Sequence, residues 1–349
     1  MSDGALRGVA VATLVFVSGF LWFLAQSFTL AYEATVAASA KKSLELSAFI
    51  DERTAFPQLT HHDLDILFVG DIMLSRAVGS TTVKSGDFSF PFIEAAEVLK
   101  EADLTFGNFE NPMSDRGENQ GSIYSFRVDP RMVDGLKMAG FDVLSLANNH
   151  IWDYGREALL DTISHLQGAG IKTIGAGKNY EEANASATFD LYGTKIAFLG
   201  YSNFYPKSLW AESSTPGISS FEEEQVMMAV EKAKESNDLV IVSVHWGEEY
   251  KPQSNETQKT WGRRIVEAGA DMVIGHHPHV VQEWEEYRGG WIFYSLGNFV
   301  FDQTQSEETM RGLAVRARVR GGRIVSLESI PVQIPSSFQP SFGNPQRIR

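Results

Sequence analysis

The sequence contains no cysteine. This absence excludes disulfide bonds, thiolate metal ligands and catalysis by a cysteine nucleophile. Basic residues are also scarce, since 30 Lys and Arg face 44 Asp and Glu and leave a formal net charge of −14. Such a chain lacks the positive surface by which proteins bind nucleic acids. An anionic substrate must therefore be held by a local device, such as a bound metal ion, rather than by the overall field.

One long apolar run occurs near the amino terminus. Residues 8–32 carry no charged side chain and exceed the roughly 20 residues needed to cross a bilayer. The alternative is a signal peptide cleaved after Ala38–Ala40, but signal peptides have a shorter apolar stretch of about 7–15 residues. The run is therefore predicted to be an uncleaved transmembrane anchor. Arg7 favours a cytoplasmic amino terminus and Lys41 and Lys42 oppose it; we expect a single-pass cell-membrane protein with its main domain outside the cytoplasm.

The remainder of the chain is predicted to form one large domain. From residue 65 onward, short apolar runs alternate with stretches whose apolar residues are spaced three and four apart. This alternation predicts an α/β fold with mostly parallel central strands, and residues 312–332 predict a terminal hairpin. The predicted organisation is a cytoplasmic amino terminus (1–7), an anchor (8–32), a linker (33–62), a domain (63–334) and a carboxyl-terminal tail (335–349).

Six of the apolar runs end in polar residues. Ligands of α/β proteins bind at the carboxyl ends of the strands, and core packing alone does not produce this pattern. Carboxylate, amide oxygen and neutral imidazole are ligands for divalent Mn, Fe, Zn or Mg. The candidate ligands for one or two such ions are Asp71, Glu110, Asn149, His245, His277 and His279.

A proton donor is also available beside these ligands. His150 follows Asn149 directly, and its imidazole could protonate a leaving oxygen. Asp153 could orient that imidazole. Two metal ions would activate water and neutralise the charge that develops in phosphoryl-transfer hydrolysis.

Each segment also has a structural interpretation. Asp71 alone could cap a turn or a helix, and Glu110 could belong to a polar turn. Asn149 fits a turn with left-handed asparagines equally well, and His245 alone would be a hydrogen-bonded core histidine. The segment "HHPH" (276–279) is the most specific, because each buried imidazole nitrogen needs a partner and a metal or an anion supplies one.

Several motifs in order resemble those of the CapA family of capsule-synthesis and poly-γ-glutamate biosynthesis proteins. They are "GDIMLSR", "GNFENP", "LANNHIWDYG", "VHWGEEY", "GHHPHVVQ" and "YSLGNFVFD", and they extend from residue 65 to 302. This family is similar to calcineurin-like metallophosphoesterases. The resemblance implies a four-layer αββα sandwich of the metallo-dependent phosphatase type with an amino-terminal membrane anchor. It also implies a role beside integral-membrane polymer synthase subunits.

The resemblance further implies a role for each ligand. Asp71 and His279 would bind a first metal, Glu110 would bridge, and His150 would be the acid. The second metal would be held by Asn149, His245 and His277. Two departures from the phosphoesterase pattern are Met73, where an imidazole is usual, and a bridging glutamate in place of aspartate. Both favour a weakened first metal position and allow a single ion.

Two arginines are candidates for holding an anionic polymer or a phosphorylated substrate. Arg76 and Arg127 could equally be structural ion-pair partners. Further candidates for substrate contact are Asn108, His276 and Asn298. Three hypotheses follow: a membrane-anchored capsule-polymer protein with a metal site, a plain metal-dependent phosphoesterase, and a catalytically silent subunit that binds polymer or synthase.

Overall fold

A computed structural model describes residues 18–42 and 62–349. The chain divides into two units, of which the first contains residues 18–42 and the second residues 62–349. Residues 18–42 form helix α1. No helix in the described part of the chain is both long and apolar enough to cross a membrane. Of the predicted anchor, residues 8–17 lie outside the described residues, as do the predicted residues 1–7 and most of the predicted linker.

The second unit contains seven helices and seventeen strands within its described residues. The helices are α2 (Arg76–Ser85), α3 (Ala96–Glu101), α4 (Val133–Ala139), α5 (Gly155–Gly168), α6 (Tyr180–Asn184), α7 (Glu223–Lys234) and α8 (Glu256–Glu267). The strands are β1 (Leu64–Ile72), β2 (Leu104–Phe109), β3 (Val143–Ser145), β4 (Lys172–Ile174), β5 (Ala176–Gly177), β6 (Ala187–Leu191), β7 (Thr194–Ser202), β8 (Gly217–Ile218), β9 (Leu239–His245), β10 (Met272–His276), β11 (Trp284–Tyr287), β12 (Gly290–Phe293), β13 (Asn298–Val300), β14 (Arg311–Arg320), β15 (Arg323–Gln333), β16 (Ser341–Phe342) and β17 (Gln346–Arg347).

Most strands belong to two large sheets. The first has the order β16-β15-β14-β1-β2-β3-β4, with β13 also paired to β1 and β17 to β15, and the second has the order β11-β12-β10-β9-β7-β6. The central strands β1, β2, β3 and β4 run parallel, as do β7, β9, β10 and β12. The mixed α/β class predicted from the sequence is confirmed. The predicted hairpin is also confirmed, because β14 and β15 are antiparallel neighbours.

The core explains why the central strands are apolar along their whole length. In β1, Ile66 and Phe68 face a cluster that contains residues of both sheets. The alternate residues Leu67 and Val69 face a second cluster, shared with helices α2 to α5. A third cluster packs α7 and α8 against β9 and β10. Since side chains alternate across a strand, burial on both faces requires the continuous apolar runs seen in the sequence.

The two sheets bring their polar strand ends to one edge of the molecule. In the first sheet, Asp71 of β1 lies in register with Asn298 of β13 and Asn108 of β2. In the second, His245 of β9 lies in register with His276 of β10. The register of β1 shifts beside Asp71, as in the bulges that re-aim side chains near functional sites.

Candidate metal centre

Asp71 is the most heavily hydrogen-bonded carboxylate at this edge. Its Oδ1 accepts from Asn108 Nδ2 at 2.9 Å and lies 3.1 Å from His276 Nδ1. Its Oδ2 lies 3.2 Å from His279 Nδ1 and 3.3 Å from the backbone nitrogen of His277. Asp71 has no exposed surface. It is therefore oriented by both sheets at once.

Glu110, also without exposed surface, directly follows strand β2 and faces the histidines. Its backbone N–H donates to the Ile72 carbonyl at 2.9 Å, which holds it beside the end of β1. Its Oε1 is 3.8 Å from both His245 Nε2 and His279 Nε2. These distances are too long for hydrogen bonds. They place one carboxylate oxygen near two imidazole nitrogens, one at the end of β9 and the other in the loop after β10.

The histidine loop after β10 has an unusual backbone. His277 and His279 have φ values of 99° and 58°, in the left-handed region that side chains other than glycine rarely adopt. Such conformations persist only where surrounding contacts impose them, and they cluster at functional sites. One such contact here is the hydrogen bond between His279 Nδ1 and Asn298 Oδ1, at 3.0 Å, which holds the loop against β13. In this conformation both imidazoles lie close to the buried carboxylates.

Asn149 and His245 form the other side of the cluster. Asn149 follows β3, and its Oδ1 lies 2.8 Å from His245 Nε2. The His277 ring packs beside the His245 ring with a centroid distance of 4.8 Å and against Phe204 at 4.0 Å. All six predicted metal ligands are thus gathered at one place by five strand ends.

Burial and charge drive the two carboxyl groups in opposite directions. Burial alone raises the pKa of Asp71, but hydrogen bonds from His276 and His279 outweigh it and leave that pKa well below 3.8. Burial and then the negative charge of Asp71 raise the pKa of Glu110 well above 4.5, with smaller contributions from Glu249 and Asp153. One carboxyl group is stabilised as an anion, and its neighbour is not.

Burial favours the neutral form of two of the histidines, His245 and His277. Burial, followed by the positive charge available on His279, lowers the pKa of His277 to about 3. Burial and then the charge on His277 lower the pKa of His245 well below 6.5. Both imidazoles are therefore neutral near pH 7, which is the protonation state required of a metal ligand.

Two of these groups leave buried polar atoms unsatisfied. Within the described residues, Glu110 Oε1 and His277 Nδ1 have no hydrogen-bond partner. An unsatisfied buried polar atom costs about 1–3 kcal/mol, and a divalent cation would remove part of that cost. Two groups of three side chains each have their donor atoms within 4.8 Å of one another, and both groups include Glu110. One group adds Asp71 and His279, and the other adds His245 and His277. The donor set therefore fits a divalent metal ion.

His150 and Asp153 form a pair beside this cluster. His150 Nδ1 lies 2.8 Å from Asp153 Oδ2, and the same oxygen accepts from the Phe126 backbone N–H at 2.7 Å. The imidazole packs against the Phe126 ring, tilted by 33° at a centroid distance of 4.0 Å. His150 and His279 both line a cleft of about 390 Å³. The structure thus places the predicted acid and its orienting carboxylate at a shared opening.

The predicted substrate contacts are distributed differently. Arg76 lines that cleft, but its guanidinium pairs with Asp302 through two hydrogen bonds. Arg127 lies over the Tyr154 ring at 4.3 Å and lines a separate cleft. The remaining candidates, Asn108, His276 and Asn298, have no exposed surface. These three contact the proposed ligands from behind, a position suited to orienting them.

Sequence reasoning gave no role to several residues of the site. Asn148 donates to Asn108 Oδ1 at 3.2 Å and to the Phe109 carbonyl at 2.8 Å, so it fixes the loop that carries Asn149. Glu249 and Tyr250 line the cleft. Both follow His245 within the motif "VHWGEEY", which was the available signal. Met73, at the position of the missing imidazole, is buried, and its sulfur accepts from Ser75 Oγ at 3.2 Å.

The fold and this donor set define a mixed α/β protein with a candidate metal centre at the strand ends. The family model described as bacterial capsule synthesis protein PGA_cap matches residues 65–303. The chain belongs to this family, which places it among proteins of capsule synthesis and confirms the resemblance that the motifs predicted.

Individual relatives agree with this assignment. Capsule biosynthesis protein CapA of Bacillus anthracis is 35% identical over 279 residues, which cover 78% of this chain and 67% of that protein. PGA biosynthesis protein CapA of Bacillus subtilis (strain 168) is 36% identical over 254 residues, which cover 71% of this chain and 66% of that protein. The chain thus spans about two thirds of the length of these relatives.

A solved structure shows a weaker likeness. The calcineurin-like phosphoesterase YfkN from Bacillus subtilis is 15% identical with a TM-score of 0.45, covering 77% of this chain and 90% of that one.

Proposed function

We propose that this protein uses a divalent metal centre to act on poly-γ-glutamate, or on a related anionic cell-surface polymer, during capsule synthesis. The single observation that carries the proposal is the convergence of Asp71, Glu110, His245, His277 and His279, whose donor atoms form groups within 4.8 Å. The substrate class comes from the relatives named for capsule and PGA biosynthesis. The reaction class that fits the centre is hydrolysis or transfer at a phosphate, ester or amide bond.

We propose a four-layer αββα sandwich of the metallophosphatase type as the scaffold. The two packed sheets and the helices on their outer faces support this assignment. We also propose that the chain is held at the cell membrane by its amino-terminal region and works beside integral-membrane synthase subunits. The apolar composition of residues 8–32 supports the first point. A relative from Mycobacterium tuberculosis that is 29% identical, "Probable polyglutamine synthesis accessory protein MT0602", supports the second by its name.

In this proposal each residue has a defined task. Asp71, Glu110 and His279 would hold one metal ion, and Asn149, His245 and His277 would complete a position for a second. A bound divalent ion would supply an activated water and neutralise negative charge at the reacting centre. Asn108 donates to Asp71, Asn298 contacts His279, and His276 contacts Asp71. These three contacts would preserve the orientation of the ligands.

His150 would move a proton in the same reaction. Its Nδ1 faces Asp153, so Nε2 is the atom available to donate to a leaving oxygen or nitrogen. The cleft that it shares with Arg76 is about 390 Å³, the size of a small ligand site. A short segment of the polymer would fit this cleft, with its free carboxylates near the partly exposed Arg76 guanidinium.

The proposal is tested by metal content and hydrolysis measured together. The full-length wild-type chain, His277→Ala and the matched control His165→Ala are incubated with Mn²⁺, passed through gel filtration and analysed for bound metal. His165 lies in α5, away from the centre. Wild type and His165→Ala are expected to retain at least about one ion per chain, and His277→Ala is expected to retain less.

The same three proteins are then assayed with a phosphodiester, an ester and γ-glutamyl oligomers. Turnover of γ-glutamyl oligomers that requires both Mn²⁺ and His277 supports the proposal. Turnover of the phosphodiester alone favours a general phosphoesterase. Metal binding without any turnover would favour an accessory role. Equal metal content in all three proteins would contradict the proposed metal centre itself.

A further inference from the structure

Glu249 lies on the solvent side of the candidate centre and has no task in the scheme above. Its carboxylate forms a third donor group with His277 and His279, whose atoms lie within 4.8 Å of one another. Each of the two inner groups contains Glu110 and one of these same histidines. Glu249 therefore lies next to both inner groups on the exposed side, whereas Glu110 belongs to both groups and is buried.

The backbone fixes this position. The Tyr250 N–H donates to the carbonyl of Pro278 at 2.8 Å, and Pro278 is the residue between the two histidines. Tyr250 has a φ of 62°, so the left-handed conformation recurs in both loops that meet here. Gln303 Nε2 also donates to the Tyr250 hydroxyl at 3.2 Å, and Gln303 Oε1 accepts from Asn298, the partner of His279. The segment that carries Glu249 is thus tied to the histidine loop directly through the Tyr250 N–H and indirectly through Gln303 and Asn298.

The chemistry of Glu249 suits a hard cation. Its side chain is exposed, and in the described part of the chain no lysine or arginine forms an ion pair with it. Glu249 thus holds an exposed carboxylate beside two buried imidazoles. Arg76 lines the same cleft, but its guanidinium pairs with Asp302. Carboxylate oxygen added to imidazole favours ions such as Mn²⁺.

We propose that Glu249 is a metal ligand on the open side of the centre, opposite Glu110. The proposal rests on the metal centre inferred above and adds a seventh protein ligand to it. An exposed ligand exchanges more readily than a buried one, so Glu249 is also the group that an incoming substrate oxygen would replace.

The test is a titration of the full-length protein with Mn²⁺ by calorimetry, together with the electron paramagnetic resonance spectrum of the bound ion. The variants are Glu249→Gln, Glu249→Asp and the control Glu248→Gln, which removes the charge of the adjacent exposed residue. Glu249→Gln is expected to weaken Mn²⁺ binding at least about tenfold and to alter the spectrum. Glu249→Asp should fall between it and wild type, and Glu248→Gln should match wild type.

The two possible failures are distinguishable. If wild type binds no Mn²⁺, the metal centre itself fails. If wild type binds Mn²⁺, and Glu249→Gln binds it with equal affinity and an unchanged spectrum, only the assignment of Glu249 is overturned. An equal loss in Glu248→Gln and Glu249→Gln would show a general effect of surface charge and would also overturn it.

Discussion

At the scale of single residues, the site depends on uncharged groups as much as on charged ones. Asn108 Nδ2 lies 2.9 Å from Asp71 Oδ1, and 3.4 Å from both Glu110 Oε2 and His245 Nδ1. One amide thus separates two buried carboxyl groups that would otherwise repel each other. A donor in this position stabilises the anionic form of Asp71, since hydrogen bonds to a charged form favour it.

Asp153 offers the sharpest test of the proposed proton donor. Replacing Asp153 with Asn preserves the shape of the side chain but removes the negative charge that faces His150 Nδ1 at 2.8 Å. We expect kcat for hydrolysis to fall roughly 10–100-fold, with KM close to the wild-type value, because the imidazole loses the carboxylate that orients it but the substrate contacts are unchanged.

The comparison of kcat with KM separates orientation from folding. Asp153 Oδ2 also accepts from the Phe126 backbone, so the melting temperature of Asp153→Asn is measured in parallel. A lower rate that is matched by a lower melting temperature would indicate a structural role alone and would contradict the assignment of Asp153 as the residue that orients His150.

The sequence predicted which residues lie close together at the site, but it gave less information on the chemical role of each residue. Asp71, Glu110, His245 and the histidine loop are brought together as expected, because parallel strands end at the same edge of a sheet. Their roles as ligands stay predictions. The central position of Asn108 could not be foreseen, because it depends on the register of β1 with β2 and on the approach of the second sheet.

At the scale of elements, the end of β1 depends on one close approach of two backbones. A Cβ added at Gly70 would lie 2.0 Å from the carbonyl oxygen of Gly297. Gly70 precedes Asp71, and the Asp71 N–H donates to that same carbonyl at 2.9 Å. The Gly-Asp sequence therefore has a physical reason: only glycine lets β13 approach closely enough to fix the carboxylate.

Gly70→Ala is accordingly expected to be destabilising. Overpacking of this kind costs about 1–3 kcal/mol or more, and it should displace Asp71. The measurement is urea unfolding, with Gly168→Ala as the control, since a Cβ at Gly168 meets nothing within 4 Å. Equal unfolding midpoints for Gly70→Ala and Gly168→Ala would show that the two backbones can separate without loss.

The contact between α8 and β11 predicts a pH dependence of stability away from the site. Hydrogen bonds from Arg263 and then from Tyr294, against the opposing effect of burial, lower the pKa of Glu285 below 4.5. A lowered folded-state pKa contributes stability that is present above the unfolded value, near 4.5, and is lost as pH falls through the folded value. Wild type should therefore exceed Glu285→Gln in unfolding free energy at pH 7, with a smaller difference at pH 3.

The matched control is Glu97→Gln, at an exposed position in α3. It should track wild type at both pH values in the same urea titrations. A difference between wild type and Glu285→Gln that stays constant from pH 7 to pH 3 would contradict the linkage to this carboxyl group.

Long apolar strands and the β14–β15 hairpin were predictable because their patterns are strong. The short strands were not. Strand β3 has three residues, and β16 and β17 have two each, too few for a periodic signal. The pairing of β16 and β17 with β15 follows from tertiary contacts within a turn-rich stretch.

At the scale of the whole molecule, the centre joins the two sheets. Asp71 and Asn298 come from the first sheet, and His245 and His276 from the second. A cation bound between them would favour the folded chain over the unfolded one, because the unfolded chain does not present the site.

Metal removal should therefore lower thermal stability. A ligand at 100 times its Kd adds about 2.7 kcal/mol, which corresponds to a melting temperature several degrees higher with Mn²⁺ than with EDTA. The control is the double variant Asp71→Asn with His279→Ala, which should melt at the same temperature in both buffers. Identical melting of wild type with Mn²⁺ and with EDTA would contradict a metal centre that links the sheets.

The order of the donors along the chain has a consequence during synthesis. The acidic contributors, Asp71 and Glu110, emerge from the ribosome long before His277 and His279, and the contact from Asp71 to His276 spans 205 residues. A growing chain therefore carries its carboxylates without their imidazole partners until the segment with His276, His277 and His279 has been made. Capture of a metal ion at the proposed centre would have to wait for the synthesis of that segment.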